Sequence, residues 1–320
     1  MKTVKLFPNI RDCDLVSYEH FGHGNESSIT LKAPAKINLY LDIQGTDHRG
    51  YHMLNMVNKV ISLADVITVK VIKDGRSRLD FDCNKPGLPT DSRNTCVKAA
   101  GLFREYMDTT DSFSISLHKN IPHEAGLAGG SADGACVLLA LNHIYGEPCD
   151  EDSLQLLSLA IGTDVPFCRI KRTGLCTGDG RNVRFIKDNM DWIRYKLMLV
   201  KPNYGMSTIE AYKEFDVITG GIDPDAPGHE AMLDALAKGD MTMMAAASYN
   251  ALMIPAVKKH PQILEIVNFL KANGACYSIM SGSGTTVYAY FDSNESHDLA
   301  TVAYKAKEFF GQDVFTYWEE

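Results

Sequence analysis

The sequence predicts an α+β protein of two domains, and three observations lead to that prediction. Strand-like and helix-like patterns are mixed in both halves of the chain. A length of 320 residues is long for one hydrophobic core and suits two. The pattern also resets around residues 188–194, before a buried strand at residues 197–200 opens the second half. We therefore expect one domain at residues 1–185 and another at residues 186–320.

Composition and charge exclude several classes of protein. The formal net charge of −8 lacks the basic surplus that is typical of nucleic-acid binders, so we expect no nucleic-acid partner. No apolar run approaches the roughly 18 residues that a membrane span needs, and residues 1–8 lack the apolar segment of a secretory signal. Eight cysteines without a C-x-x-C pair favour a reducing compartment over a zinc site or a disulfide scaffold. We expect a cytoplasmic protein that binds no membrane.

The first half begins with the least patterned part of the chain. Residues 1–28, with Gly22 and Gly24, predict a loop, an extra strand or an arm that packs on the body. Residues 36–43 then alternate strictly, which places Lys36 and Asn38 on one face of a strand that starts near Pro34. Further strands are expected at residues 57–61, 66–72, 113–117 and near 175, with helices at residues 92–106, 135–142 and 153–161.

Asp164 stands on a predicted turn just after Gly162, which ends the helix at residues 153–161. Pro166 favours extended geometry for Val165, which would constrain that turn. In the second half, helices are expected at residues 208–215, 230–237, 241–250, 262–272 and 297–310, with strands at 197–200, 276–280 and 286–291.

A glycine-rich stretch leads into the helix that contains residues 135–142. Gly126, Gly129 and Gly130 come before Ser131, a good N-cap, and Asp133 is expected in the first turn. Glycines let backbone N–H groups approach an anion closely, and a helix N-terminus favours negative charge. The stretch therefore predicts a phosphate-binding loop, although a loop whose glycines only permit tight packing fits the same residues. The spacing matches neither a Walker A loop nor the dinucleotide fingerprint.

Several separated motifs together resemble the GHMP small-molecule kinases. The loop at residues 121–131 is similar to the phosphate-binding loop of that family. Residues 33–41, 50–52, 161–167, 201–208 and 280–284 resemble motifs of the branch that phosphorylates 4-diphosphocytidyl-2-C-methyl-D-erythritol in the non-mevalonate isoprenoid pathway. The resemblance implies a two-domain GHMP kinase fold, with a ribosomal-protein-S5-like N-terminal domain and a ferredoxin-like C-terminal domain.

The same resemblance implies a reaction and its cofactors. It predicts ATP-dependent phosphorylation of the 2-hydroxyl of the cytidylyl alcohol, with Mg²⁺ carried in by ATP rather than by a cluster of protein ligands. A GHMP kinase for another small alcohol, such as homoserine or mevalonate, is the alternative within the fold. A catalytically inactive binding protein is the alternative from another class. A monomer and a homodimer are both compatible with the sequence.

The resemblance also implies roles for individual residues. Asp164 would accept the proton of the substrate hydroxyl, and Lys36 would keep Asp164 ionised and stabilise the transferring phosphoryl group. The implied ATP-binding residues are Pro122, Ala125, Gly126, Leu127, Ala128, Gly129, Gly130 and Ser131. The implied substrate-binding residues are Asn38, Tyr51, His52, Thr208 and Tyr212. Each has an ordinary alternative: a turn carboxylate, a solvated lysine, an N-cap, or a side chain that only packs.

Within the substrate set, Tyr51 and Tyr212 would face each other across the cytosine ring, and His52 would read the edge of the base. The sequence departs from the family at Glu124, where a small residue is usual, and at Arg49, where an aspartate is common. A carboxylate at Glu124 would repel ATP unless its side chain points away.

Overall fold

A computed structural model describes residues 15–19 and 25–319, and within those ranges the chain forms two β-sheets and a set of α-helices. The strands are β1 (Leu15–Glu19), β2 (Glu26–Thr46), β3 (His52–Ile72), β4 (Leu79–Cys83), β5 (Ser112–His118), β6 (Gly174–Gly178), β7 (Asn182–Phe185), β8 (Tyr195–Lys201), β9 (Tyr249–Asn250), β10 (Tyr277–Met280), β11 (Val287–Asp292) and β12 (Phe315–Trp318). The helices are α1 (Thr95–Met107), α2 (Gly129–Ile144), α3 (Glu151–Ile161), α4 (Val165–Ile170), α5 (Thr208–Thr219), α6 (Glu230–Lys238), α7 (Met241–Ala247), α8 (Met253–Lys259), α9 (Gln262–Ala272) and α10 (Leu299–Phe310). The expected α+β class is confirmed.

The two sheets differ in size and in how their strands pair. The larger has the order β1-β2-β3-β5-β4, with β6 and β9 paired to β3 and β2 and with β7 paired to β6. The smaller has the order β10-β11-β8-β12, and its pairs are all antiparallel. None of the helices in the described part of the chain is long and apolar enough to cross a membrane.

The described chain divides into two compact units that are not contiguous in sequence. Unit 1 contains the described residues up to Ala35 together with Leu63–Ile121 and Ala128–Lys171. Unit 2 contains Lys36–Ser62, Pro122–Leu127 and the described residues from Arg172 onward. The long strands β2 and β3 therefore contribute residues to both units. A domain boundary near residue 185 stays a prediction.

Helix α2 forms the centre of unit 1. It packs against α1, α3 and α4, and nearly all of its side chains are buried. Gly134 permits that packing, because a Cβ there would lie 3.0 Å from Ile161 Cγ2 and 3.1 Å from Thr95 Cβ. The neighbouring helices have ordinary caps: Asn94 accepts the Cys96 N–H at the start of α1. Packing against α1, α3 and α4 thus fixes the position of α2 in unit 1.

The smaller sheet supplies the core of unit 2. Its strand β11 is buried along most of its length, and Tyr277, Tyr288 and Tyr290 pack edge-on or tilted against one another. The Tyr288 hydroxyl donates to the backbone carbonyl of Asn38 at 2.8 Å, which ties β2 to this core.

Three local predictions are wrong. Residues 57–61 and 66–72 are parts of one strand, β3, rather than two. Val165 is helical, because Pro166 lies in the first turn of α4, where its missing N–H has no intrahelical role. Ser131 is not the N-cap of α2, since the helix begins at Gly129 and its N-cap is Ala128.

Other elements were not predicted, and one prediction is only partly described. Strands β4, β7, β9 and β12 and helices α4 and α8 are additional to those expected. Strand β1 pairs antiparallel with β2, so the predicted extra strand in residues 1–28 exists at Leu15–Glu19. The predicted glycine loop at Gly22 and Gly24 and the segment at residues 1–8 lie outside the described residues.

Candidate active site

The first segment of the glycine-rich loop lies in unit 2 against a turn formed by residues 281–284. The Ser281 Oγ donates to the Gly126 carbonyl at 2.9 Å and accepts the Asn38 N–H at 3.3 Å. Gly126 has a φ of +71°, and a Cβ there would lie 2.0 Å from the Ser281 carbonyl oxygen. Only glycine permits this approach. The turn at 281–284 thus packs directly on the loop.

Lys36 is buried in unit 2 and begins a chain of polar side chains. Its Nζ donates to Asn38 Oδ1 at 2.7 Å, and the Asn38 Nδ2 donates to Asn58 Oδ1 at 2.6 Å. Asn58 in turn donates to Cys176 Sγ at 3.3 Å. The Lys36 N–H also donates to the Leu127 carbonyl at 3.1 Å. A solvated strand lysine is therefore the wrong interpretation of Lys36, because its ammonium is fixed by a buried amide next to the loop.

The second segment of the loop leads into α2 in unit 1. Ala128 has a φ of +54° and caps the helix without a side-chain hydrogen bond. The N–H groups of Gly129, Gly130 and Ser131 therefore have no partner within the helix. These donors and the positive end of the helix dipole fit an anion. Thr95 Oγ1 donates to the Gly130 carbonyl at 2.5 Å and fixes this turn on α1.

Asp164 precedes α4 in unit 1 and is half-buried. Its backbone carbonyl accepts the Cys168 N–H at 3.0 Å, but its side chain makes no capping hydrogen bond to the helix. A turn aspartate that satisfies the N–H groups of its own helix is thus not what the structure shows. The Asp164 carboxylate therefore lies at the start of α4 without capping it.

The predicted base-binding residues include a stacked pair of rings in unit 2. The His52 and Tyr212 rings have centroids 4.5 Å apart and planes inclined by 29°. The His52 Nε2 lies 2.9 Å and 3.1 Å from the two carboxylate oxygens of Asp216. Sequence reasoning missed Asp216, although its position four residues after Tyr212 on α5 places both on one helix face.

Tyr51 is the exposed member of the predicted substrate set. Its side chain is 54% exposed, and the Arg49 guanidinium lies 5.2 Å from the centre of its ring. Arg49 is held by Asp47 at 2.7 Å and by Asp179 at 3.1 Å. Arg49, which stands where an aspartate is common in the family, is therefore fixed beside the predicted base-stacking ring of Tyr51. Thr208, also in the predicted set, has its Oγ1 3.1 Å from Ser283 Oγ.

Glu124 adopts a backbone conformation that favours glycine, with a φ of +48°. Its side chain is about half exposed and turns toward Gly205, where an added Cβ would lie 2.5 Å from Glu124 Cβ and Oε2. Burial lowers the pKa of Lys201, and the Glu124 carboxylate raises it. The carboxylate therefore faces the segment that contains Lys201 and Gly205.

Lys119 and Asp65 are further polar residues at the loop that sequence reasoning did not single out. The Lys119 ammonium pairs with both Asp65 and Asp133 inside unit 1. The available signal was the position of Lys119, directly before the loop. Among residues 15–19 and 25–319, no group of three or more His, Cys, Asp or Glu side chains is placed to hold a metal ion.

Comparisons with known proteins agree with one another. The GHMP kinases N terminal domain family matches residues 94–171, and the GHMP kinases C terminal family matches residues 232–310. The chain is 39% identical over 262 residues to the 4-diphosphocytidyl-2-C-methyl-D-erythritol kinase of Clostridium kluyveri, covering 82% of this chain and 90% of that one. For the kinase of the same name from Clostridium beijerinckii, the identity is 38% over 285 residues, or 89% of this chain and 98% of that one.

Solved structures give the same fold. A crystal structure of 4-(cytidine 5'-diphospho)-2C-methyl-D-erythritol kinase matches with a TM-score of 0.71 and 29% identity, over 90% of this chain and 97% of that one. Mevalonate kinase from L. major has a TM-score of 0.68 at 14% identity, over 95% of this chain and 99% of that one, and it shows the fold alone. From the relatives and the loop geometry together, the chain belongs to the GHMP kinases, a family of ATP-dependent small-molecule kinases, and within them to the branch of the 4-diphosphocytidyl-2-C-methyl-D-erythritol kinases.

Proposed function

We propose that this protein transfers a phosphoryl group from Mg²⁺-ATP to the 2-hydroxyl of 4-diphosphocytidyl-2-C-methyl-D-erythritol. The observation that carries the proposal is the identity of 38–39% to kinases of that name over 82–89% of the chain. Kinases for mevalonate and homoserine share the fold at only 14% identity. Their names describe substrates without a nucleobase, whereas this chain has an aromatic cluster suited to one.

Asp164 and Lys36 are the proposed catalytic residues. Asp164 orients the hydroxyl and accepts its proton, as a phosphoryl transfer to an alcohol requires. Its support is a carboxylate that does not cap its own helix. Lys36 stabilises the charge on the transferring group, and its support is an ammonium already desolvated and oriented by Asn38. A preorganised cation is worth more in such a site than in water.

The loop is proposed to bind the phosphates of ATP through its backbone. The N–H groups at Gly129, Gly130 and Ser131 support this role, as described above for the start of α2. The side chains of Ala125 and Leu127 are buried and their carbonyls accept from the N–H groups of Thr286 and Lys36, so these two residues are proposed to contact the nucleotide through their own N–H groups. When bound, Mg²⁺ neutralises phosphate charge, and ATP with water supplies most of its ligands.

The cytosine base is proposed to stack against Tyr51 and Tyr212 while His52 reads its edge. If Nε2 of a neutral His52 donates its hydrogen to Asp216, Nδ1 becomes an acceptor. An acceptor suits the exocyclic amino group of cytosine, and it would meet an oxygen in uracil. This arrangement gives a physical reason for cytosine to be chosen over uracil, which stacking alone cannot provide. Asn38 and Thr208 are proposed to contact the remainder of the substrate.

A coupled assay of ADP release over a panel of alcohols tests the proposal. We expect the cytidylyl alcohol to be the best substrate, its uridine analogue to be poor, and homoserine and mevalonate to give little ADP above background. Faster ADP release with homoserine or mevalonate would assign the enzyme to another substrate. Equal rates with the cytidine and uridine compounds would remove the assigned role of His52.

A further inference from the structure

Lys119 lies between two buried carboxylates in unit 1. It directly follows β5, and its Nζ forms an ion pair with Asp65 Oδ2 and another with Asp133 Oδ2, the second at 2.8 Å. The Asp65 side chain is fully buried, that of Asp133 is 3% exposed and that of Lys119 is 10% exposed. Burying ionisable groups together carries a desolvation cost, and a hydrophobic cluster of similar volume would avoid it. A role other than stability would account for the triad.

The triad ties together the two ends of the glycine-rich loop. Asp65 Oδ1 accepts the N–H groups of Asn120 at 2.6 Å and Ile121 at 2.8 Å, which are the residues that enter the loop. Asp133 lies in α2, one turn after Gly129, where the chain leaves the loop. Lys119 joins these two carboxylates. The entry and the exit of the loop are thus cross-linked through one ammonium group.

The ammonium also lies close to the first residue of α2. A Cβ at Gly129 would be 3.1 Å from Lys119 Nζ and 3.0 Å from Ile121 Cγ2. The distance shows that Nζ lies beside the backbone whose N–H groups fit phosphate. Because Nζ is already paired with two carboxylates, its influence on a nucleotide passes through the loop backbone.

We propose that Asp65, Lys119 and Asp133 are positioning residues that hold the phosphate loop in its ATP-binding conformation. The proposal rests on the proposed function, in which this loop binds ATP. A tie between both stems fixes the direction of the first N–H groups of α2, and small displacements of binding groups have large effects on rate.

The charge of the triad gives the proposal a second, independent signature. Burial and the Asp65 carboxylate raise the pKa of Asp133 and Lys119 lowers it, and the net result is a pKa well above the usual range of an aspartate. Below that pKa Asp133 is protonated and neutral, and the charges of Lys119 and Asp65 cancel. Asp133 Oδ1 has no hydrogen-bond partner, which costs less in a neutral carboxyl than in a carboxylate.

Above that pKa Asp133 is ionised as well, and the triad carries one net negative charge next to the loop. Titratable groups near it in the described chain include the thiols of Cys96 on α1 and Cys136 on α2, and the Lys171 Nζ lies 3.5 Å from the Cys136 Sγ. Burial raises the pKa of the Cys96 thiol far above its usual range, so that thiol stays neutral. A negative charge next to a phosphate site opposes the binding of a polyanion. ATP affinity should therefore fall as the pH rises through the pKa of Asp133.

The test compares Lys119→Met and Asp133→Asn with the wild type and with Lys70→Met. Lys70 is the matched control, since it is a partly exposed lysine of unit 1 that pairs with Glu26 on the neighbouring strand. Binding of a non-hydrolysable ATP analogue is measured by calorimetry at about pH 7 and about pH 9, to follow the ionisation of Asp133, whose pKa is raised. The KM values for ATP and for the cytidylyl substrate are measured alongside.

We expect Lys119→Met to weaken ATP-analogue binding at least about tenfold, equivalent to about 1.4 kcal/mol, with an unchanged KM for the cytidylyl substrate. Lys70→Met should match the wild type. Asp133→Asn, which cannot ionise, should lose the weakening at alkaline pH, so that its affinity for the analogue is the same at both pH values. A Lys119→Met variant with wild-type ATP affinity would overturn the proposal. So would an Asp133→Asn variant that keeps the alkaline loss, and this second outcome can be read even if Lys119→Met does not fold.

The same measurements separate this proposal from the proposed function. A wild-type protein that binds no ATP analogue and releases no ADP would contradict the proposed kinase activity itself. A wild-type protein that binds and turns over ATP, with variants that do the same at both pH values, would contradict the positioning role alone.

Discussion

The Lys36 region and the Tyr212 region of unit 2 are both polar, but they differ in burial and in what holds their side chains. Lys36, Asn38 and Asn58 are almost fully buried and donate to one another in a chain. Tyr51, by contrast, is exposed and Asp216 is partly exposed, and the Tyr212 ring stacks on the His52 ring. The first region presents a fixed charge, and the second presents flat surfaces that a ligand can cover.

This difference separates two ways of using binding energy. A desolvated charge next to the reacting group acts on the transition state, so its loss should lower kcat. Rings that contact a base remote from the reacting hydroxyl act equally on ground and transition states, so their loss should raise KM. Substitutions in the two regions should therefore differ in kind as well as in size.

The largest effect is expected from the proposed catalytic pair. Asp164→Asn should lower kcat by about 10²–10⁴, the usual range for a positioned acid or base, and the isosteric change should leave the fold intact. Lys36→Met should lower kcat through the lost charge. If the two residues act as one unit, the double variant will be little slower than the slower single variant. Steady-state kinetics of all three variants give the comparison.

The double variant is also the strictest test of the difference between the Lys36 region and the Tyr212 region. Losses that multiply would show that Lys36 and Asp164 act independently. A Lys36→Met variant with a raised KM and a normal kcat would place Lys36 in the same class as the base-stacking rings. Thermal unfolding of each variant shows whether a lost rate reflects lost structure.

The next largest effect concerns the contact of the loop with the turn at residues 281–284. Gly126→Ala places a methyl group 2.0 Å from the Ser281 carbonyl oxygen at a positive φ, so the loop or the turn must move. Because Ser281 also binds the Asn38 backbone, the disturbance reaches the buried region. We expect kcat/KM for ATP to fall by about 10², as for a displacement of about 1 Å.

Gly101→Ala is the control for Gly126→Ala. Gly101 lies within α1, and a Cβ there would meet nothing within 4 Å. Alanine at this position should leave the kinetics unchanged and stabilise the helix by up to about 1 kcal/mol. A Gly126→Ala enzyme with normal ATP kinetics would show that the contact with Ser281 does not set the loop conformation.

The sequence predicts the periodic parts of this fold well and the non-local parts poorly. Helices such as α1, α3 and α9 follow from their apolar spacing and lie within a few residues of the predicted bounds. Edge strand β12 is half-buried throughout and carries no alternation, whereas β4 alternates between apolar and acidic residues but was missed because it is only five residues long. The helix α4 was hidden because Pro166 suits a first turn as well as it suits an extended segment.

The candidate site divides in the same way. The glycines of the loop and the strand face of Lys36 can be predicted because they follow from local pattern. The hydrogen bond from Ser281 to Gly126 and the ion pairs of Lys119 join residues far apart in the chain. A single sequence carries no local signal of such pairs. The role of Asp216 was missed for the same reason, since its partner His52 is 164 residues away.

Tyr212→Ala tests the exposed region. Stacking of a base on an aromatic ring contributes about 1–3 kcal/mol, so we expect the KM for the cytidylyl substrate to rise about 5- to 150-fold. The value of kcat should stay within a few-fold and the KM for ATP should not change. Tyr304→Ala is the control, because Tyr304 is exposed on α10 and its hydroxyl donates to Glu308 on the same helix. A fall in kcat at constant KM would instead place Tyr212 with the catalytic residues.

The smallest effect is expected at Glu124, which is exposed although it belongs to the loop. Its φ of +48° strains a residue with a Cβ, and glycine would relieve that strain while adding freedom to the unfolded chain. The two contributions oppose each other, so the free energy of unfolding of Glu124→Gly should change by less than about 1 kcal/mol. Because the carboxylate faces Lys201 and Gly205, its removal should leave ATP affinity unchanged or slightly higher. Calorimetric titration with an ATP analogue and thermal unfolding measure both quantities. A clear loss of ATP affinity in Glu124→Gly would mean that an exposed carboxylate contributes to the phosphate site. Burial would then no longer distinguish the proposed catalytic residues from the other residues of the site.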